Sequence, residues 1–193
     1  MLRSFPAYRD VPAAPILTTV NRTALLATLV ATVAASAGCA AGTTPIVRVD
    51  GRIGPFRIDL TTKAQVLASE GKPDRVEADF VPTRKKPIGQ TLFYRCGRGC
   101  ETAYSINNAT GTLSDFETSS PRFVTERGSH VGMRAQEAAH RERTKPWGPG
   151  CGPGPYLHIR WDIHHIFVLT AWGGKVDHIV YLGPHSVYYE GLC

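Results

Sequence analysis

The stretch TLFYRCGRGCETAYSIN, residues 91–107, carries the clearest structural signal in the sequence. Its two arms, 91–96 and 101–107, are rich in β-branched and aromatic residues, which favour strands. The segment between them runs from Cys96 to Cys100 through two glycines, which permit a tight turn. The stretch therefore predicts an antiparallel hairpin with a disulfide bridge across its turn.

A short helix is predicted on the N-terminal side of this hairpin, over residues 63–70. Thr61 or Thr62 can cap its first turn, because their hydroxyls accept hydrogen bonds from free backbone N–H groups. Gly71 supplies the left-handed position that ends a helix, and Pro73 prevents its continuation.

The same signals extend the pattern in both directions. Periodicity and turn residues predict extended segments over 53–60 and 123–132, a second helix over 133–143, a Pro/Gly-rich loop over 145–155, a turn-rich hairpin loop over 107–111, a hairpin turn at Trp172-Gly173-Gly174, and strands over 75–81, 112–118, 156–161, 163–171 and 175–182.

The two halves of this pattern align with each other. Residues 59–62 match 132–135, and residues 111–116 match 174–179. One half alone could bury only one small sheet face, whereas two halves side by side can share a core. The sequence therefore predicts an α+β fold, in which two helix-plus-antiparallel-meander repeats form one curved sheet with the helices on one face.

The motif IDLTTKAQV at 58–66, followed by EGKP at 70–73, resembles the signature of the SmpA/OmlA small lipoproteins of outer-membrane assembly. The second half repeats it in part as HVGM at 130–133. A tandem of such units resembles the secreted β-lactamase inhibitor proteins, which implies a curved sheet whose open face grips a partner protein. The first motif has Asp59 where glycine is usual, and the second lacks the Gly-x-Pro helix stop.

The N-terminus has the order of an export signal. The basic stretch NRT at 21–23 precedes an uncharged apolar run over 24–35, which is well short of the ~20 residues that span a bilayer. Small residues from Ser36 onward then lead to Cys39. This segment resembles a lipobox, which implies cleavage before Cys39 and lipidation of its thiol, although Ser36 stands where an aliphatic residue is usual. An ordinary secretory cleavage is the alternative.

Residues 1–19 fit no signal peptide, and Val20 is the expected true start. The predicted organisation comprises a signal peptide over 1–38, a lipidated tether over 39–50, a first repeat over 51–120 and a second repeat over 121–193.

The five cysteines divide into Cys39 and an even set of four. In an oxidising compartment such a set predicts two disulfides, for which three pairings are possible. The hairpin turn favours Cys96–Cys100, which leaves Cys151 to pair with Cys193. A zinc site built from Cys96, Cys100 and histidines is the alternative, because the cysteine spacing lies within the range of zinc ligands.

The composition is that of a globular chain, with 42% hydrophobic and 20% charged residues and a net charge of +6. The basic residues are scattered, so nucleic acid is not an expected partner. The charge is compatible with a weak attraction to an anionic membrane or cell wall.

No motif of a known catalytic class appears, so no catalytic residue, metal site or cofactor is predicted. Two alternatives remain open. Histidines of the last strands, above all His158, His164 and His178, could converge on a metal ion, with His165 and His185 nearby. A cell-envelope hydrolase with an unrecognised site is the other alternative.

The sheet face opposite the helices is the predicted site of partner binding. Rigid aromatic residues and arginine are the usual anchors of protein interfaces. The predicted anchors are Trp172, at a hairpin apex where packing against a core is difficult, together with Trp161, Tyr94 and Arg160. By strand alternation, Arg160 is expected to share a face with His158.

Together these observations predict an exported protein, lipid-anchored through Cys39 to the outer face of the cell membrane. It is expected to act as a non-catalytic module that binds an unknown envelope protein.

Overall fold

The computed structural model describes residues 44–81, 84–149 and 155–186. In chain order these contain β1 (Ile46–Val47), β2 (Arg52–Ile53), β3 (Phe56–Arg57), α1 (Lys63–Glu70), β4 (Arg75–Asp79), β5 (Gly89–Gly97), β6 (Cys100–Asn107), β7 (Leu113–Thr118), β8 (Val124–Thr125), α2 (Ala135–Glu142), β9 (Pro146–Pro149), β10 (Pro155–Trp161), β11 (Ile166–Trp172) and β12 (Lys175–Leu182).

Eight strands form one large antiparallel sheet in the order β4-β5-β6-β7-β12-β11-β10-β9. The hairpin predicted from residues 91–107 is β5–β6, and its Cys96–Cys100 disulfide is confirmed. The middle of the sheet is the pairing of β7 with β12, in which Phe116 lies opposite Tyr181. This pairing makes residues 75–118 and 146–182 parts of a single sheet.

A second sheet of four two-residue strands has the order β3-β2-β1-β8. Strand β1 pairs with the edge strand β8 in parallel, so residues 46–47 lie beside residues 124–125. The small sheet packs its apolar side against the large sheet. Val47 and Ile53 are fully buried, and the ring of Phe56 contacts Tyr104 edge-on, with 5.3 Å between ring centroids.

Both helices are eight residues long. The predicted bounds of α1, residues 63–70, are confirmed. A reciprocal capping box of Thr62 and Gln65 begins the helix, and Gly71 ends it with φ 82°. Helix α2 is shorter than the predicted 133–143 and ends at Arg143 in a left-handed conformation with φ 56°.

A residue with positive φ precedes each helix. Asp59 has φ 62° and donates its N–H to the carbonyl of Leu113 at 2.7 Å. Gly132 has φ 90° and donates to the carbonyl of Val176 at 2.8 Å. A positive φ is ordinary for glycine and uncommon for other residues, with aspartate among the more tolerant ones. The aspartate at position 59 therefore occupies a conformation that glycine adopts more readily.

The predicted α+β class, with helices covering one face of the sheet, is wrong. The protein is mostly β and has two sheets, and its two helices are too short to cover an eight-stranded sheet. Helix α1 fully buries only Val66. Much of the apolar surface against the large sheet comes instead from the small sheet and from Phe123.

Two strand predictions are also corrected. Strand β11 begins at Ile166 rather than at residue 163, because the Asp162 carboxylate accepts the backbone N–H groups of His164 and His165 and holds a turn there. Strand β9 lies within the predicted Pro/Gly-rich loop and pairs with β10 as an edge strand.

Candidate partner-binding surface

Strand alternation assigns the residues of the large sheet to two faces. The covered face carries the main core, including Leu92, Tyr104 and Tyr181. The opposite face, here called the outer face, carries another apolar cluster on β10, β11 and β12. Its central residues Ile166, Val168 and Leu182 are each only 4% exposed, and Tyr156 and Val180 pack against them. This part of the outer face is therefore buried and is not the open surface expected from the sequence.

Trp172 lies at the end of β11, where the outer face is open. It faces Lys175 across a two-residue turn of Gly173 and Gly174, whose φ angles are 57° and 78°. Positive φ at both central residues is the geometry of the tight turns that fit the twist of a hairpin. The turn is also held in place, because Ala135 of α2 donates its backbone N–H to the Gly174 carbonyl at 2.9 Å. The Trp172 side chain is nevertheless 62% exposed.

Polar side chains from three strands lie near this tryptophan on the sheet. Thr170 of β11 donates to the Asp177 carboxylate at 2.6 Å. His178 lies 3.3 Å from Asp177 and 3.8 Å from the carboxylate of Glu117 on β7. We define the hairpin surface as the exposed or half-exposed residues Trp172, Lys175, Asp177, His178 and Glu117.

A β-bulge brings Asp177 into this group. The pairing of β11 with β12 shifts between Thr170 and Ala171, which leaves Asp177 as the extra residue of β12. Glu117 is distant in sequence but lies in this group, because it pairs with Val180 of β12 in the middle of the sheet. The two acids were missed at the sequence level. The bulge leaves no local signal in the sequence, and the neighbourhood of β7 and β12 depends on long-range pairing.

Tyr94 does not share the exposed face with Trp172. It lies on the covered face, where its hydroxyl donates to the Gly71 carbonyl at 3.1 Å and its ring packs edge-on against Tyr104. Burial, and secondarily the nearby Glu70 carboxylate, raises the pKa of the Tyr94 hydroxyl. This residue therefore joins α1 to the sheet.

Arg160 is held by internal contacts. Its Nε donates to Asp162 at 2.6 Å and its Nη1 donates to the Val49 carbonyl at 3.0 Å. The hydrogen bond to Asp162 raises the pKa of Arg160, and the same bond is the largest cause of the lowered pKa of the Asp162 carboxyl. The expectation that Arg160 shares a face with His158 is wrong, because a bulge between them shifts the strand register.

The other sequence-predicted site residues are only partly described. Trp161 ends β10 opposite Ile166, and its side chain is outside the described part of the structure. Cys39, Cys151 and Cys193 lie outside the described residues.

The strand histidines do not converge. His158 lies within β10 opposite Val168, where burial lowers its pKa. His164 lies in the β10–β11 turn, and His178 lies on β12 opposite Thr170. Among the described residues there is no group of three or more His, Cys, Asp or Glu side chains arranged to hold a metal ion.

Comparison with known proteins finds no matching protein family and no matching curated protein. An extracellular protein containing an SCP domain from Bacillus anthracis str. Ames aligns over 64% of this chain and 43% of its own, with 8% identity and a TM-score of 0.42. This chain thus spans less than half of that protein's length. The uncharacterized protein yfeY from Escherichia coli aligns over 72% of this chain and 99% of its own, with 12% identity and a TM-score of 0.41. Structural similarities at this low identity and TM-score support no inference about function.

Proposed function

We propose that this protein is an exported lipoprotein, anchored through Cys39 to the outer face of the cell membrane, which acts as a non-catalytic protein-binding module of the cell envelope. Its partner contacts the hairpin surface. The observation that carries the binding proposal is the 62% exposure of Trp172 on a turn that is held rigid by α2.

An exposed tryptophan on a rigid turn is suited to binding. Its ring loses little conformational freedom when a partner covers it, and such anchors contribute about 2 kcal/mol or more to complexes. The neighbouring Asp177, His178, Lys175 and Glu117 supply the polar rim that surrounds an interface anchor.

Export and anchoring rest on the sequence order of the N-terminus. The basic, apolar and small-residue segments before Cys39 follow the design of a cleaved signal. The Cys96–Cys100 disulfide supports an oxidising compartment. In the described residues no helix has the length and apolar character needed to cross a membrane.

The anchor is tested by changing Cys39→Ala and partitioning cell extracts between detergent and aqueous phases. Mass spectrometry of the parent protein should find acyl chains on an N-terminal Cys39. A parent N-terminus without lipid at Cys39 would contradict the anchor.

The binding surface is tested by capturing envelope proteins with the detergent-solubilised full chain. Trp172→Ala should weaken capture of the main partner by about tenfold or more, with a nearly unchanged melting temperature. Ile163→Ala is the matched control, because Ile163 is 81% exposed in the turn at the other end of β11. Equal loss of capture in both variants, or none in either, would argue against the hairpin surface.

A further inference from the structure

Three arginines lie side by side on the exposed face of the small sheet. Arg52 of β2 is paired directly with Arg57 of β3. Arg48, which follows β1, donates its backbone N–H to the Arg52 carbonyl at 2.8 Å. Val47 and Ile53 point into the core, so alternation places the three arginines on the opposite, outward face. We call these three residues the arginine row.

A row of like charges on adjacent strands is unfavourable by itself. Arg48 reaches Glu126 at 3.2 Å and Arg52 reaches Asp50 at 3.4 Å, and both arginine side chains remain well exposed. Arg57 is exposed and forms no ion pair within the described part of the chain. The row therefore keeps positive charge directed toward solvent, where an anionic partner would relieve the repulsion.

Exposed apolar side chains lie along the chain beside these arginines. Ile46, Val49 and Leu60 are 36%, 38% and 63% exposed. Arginines interspersed with exposed apolar residues are typical of surfaces that lie in the headgroup region of a membrane. This combination distinguishes the row from an ordinary solvated patch of charge.

The position of the row in the sequence favours a membrane over a soluble partner. The chain from Cys39 to Ile46 can span at most ~25 Å even when fully extended. Strand β1 would therefore stay close to the bilayer that holds the lipid. This short tether allows the basic surface to come within a Debye length of the bilayer, where the negative potential of anionic headgroups acts on it.

We propose that the arginine row docks on anionic phospholipid headgroups and thereby orients the domain on its own membrane. This inference rests on the proposed lipid anchor. The acyl chains supply most of the membrane affinity, and the row selects which face of the domain meets the bilayer.

The test uses the lipidated full chain, purified from membranes and reconstituted into vesicles of phosphatidylcholine alone or with phosphatidylglycerol. Hydrogen exchange of residues 46–60 should be slower on the vesicles with phosphatidylglycerol, and high salt should remove the difference. Each arginine close to an anionic surface raises the ratio of docked to undocked protein by about fivefold. Because two of the three are paired with acids, the triple variant Arg48→Gln/Arg52→Gln/Arg57→Gln should reduce the docked fraction relative to the undocked one by about tenfold or more.

The matched control removes the same charge elsewhere, at the exposed residues Lys72, Arg95 and Arg98. This Lys72→Gln/Arg95→Gln/Arg98→Gln variant should retain the protection of residues 46–60. An equal loss of protection in both triple variants would overturn the arginine row as the docking face. If the triple variant of the row is unstable, Arg57→Gln alone, which breaks no ion pair in the described structure, should still reduce protection.

Flotation of the vesicles separates the two proposals. Protein that floats with both vesicle types but shows no effect of phosphatidylglycerol on exchange would support the anchor and overturn docking. If the protein fails to float with phosphatidylcholine, the anchor fails. In that case, flotation that requires both phosphatidylglycerol and the three arginines would still support the arginine row as the docking face. Flotation with neither vesicle type would overturn it.

Discussion

The hydroxyl of Tyr181 donates a hydrogen bond to the carbonyl of Val49, with an O···O distance of 3.1 Å. This contact joins β12 of the large sheet to the turn that follows β1 of the small sheet. The same carbonyl accepts from Arg160 Nη1 at 3.0 Å. Burial raises the pKa of Tyr181 to about 12, so the hydroxyl remains a donor throughout the neutral range. The two sheets are thus held together by a polar contact as well as by the core.

Tyr181→Phe is expected to lower the free energy of unfolding by about 1 kcal/mol, the usual worth of a neutral buried hydrogen bond. The loss is limited because Arg160 still donates to the Val49 carbonyl. Urea unfolding followed by circular dichroism measures it.

Tyr104→Phe is the matched control. Tyr104 is also fully buried, and its hydroxyl makes no hydrogen bond of normal length among the described residues, although the Glu70 carboxylate and the Arg122 guanidinium interact with it. Tyr104→Phe should therefore lower the free energy of unfolding less than Tyr181→Phe does, because no hydrogen bond of normal length is lost. Equal losses in the two phenylalanine variants would show that the Tyr181 contact adds nothing of its own.

His158 should make the protein less stable in mild acid. Burial lowers the pKa of this histidine below its ordinary value of 6.5, so the unfolded chain binds a proton more readily than the folded one. The free energy of unfolding should therefore decrease as the pH falls through about 6.5 toward the folded pKa. His158→Gln should show a shallower decrease over the same interval when unfolding is measured from pH 8 to pH 5. An unchanged slope in the variant would assign the effect to other groups.

Gly183 is predicted to tolerate no side chain. A Cβ at this position would lie 2.4 Å from Ile58 Cγ2 and 2.8 Å from the Ser114 carbonyl oxygen, which also accepts the Gly183 N–H. Gly183→Ala should therefore destabilise the protein by about 2–3 kcal/mol through overpacking. Ile58→Ala removes one of the two clashing atoms, so the double variant should lose less than the sum of the two single variants. Strict additivity in thermal unfolding would contradict the clash.

The second disulfide remains a prediction, made because the Cys96–Cys100 bridge leaves Cys151 and Cys193 as the remaining pair. Peptide mapping under non-reducing conditions should find Cys151 linked to Cys193, in addition to the Cys96–Cys100 bridge. Free thiols at Cys151 and Cys193, or a peptide that joins Cys96 to Cys193, would refute the proposed pairing.

Features determined by neighbouring residues were predicted well. The bounds of α1 follow from a cap at Thr62 and a stop at Gly71, and the turn at Gly173 and Gly174 follows from two adjacent glycines. The face of a side chain was less predictable. Alternation failed at Arg160, because one bulge reverses the face of every residue beyond it.

The hairpin over residues 91–107 and its disulfide follow from local sequence, because their signals lie within a few residues of one another. The fold class, by contrast, depends on long-range contacts, since the small sheet requires parallel pairing between residues 46–47 and 124–125. Pairing between distant segments leaves no periodic trace in either of them. The same pairing and register decide which side chains remain exposed, and they leave Trp172 and the arginine row at the surface while Tyr94 is buried.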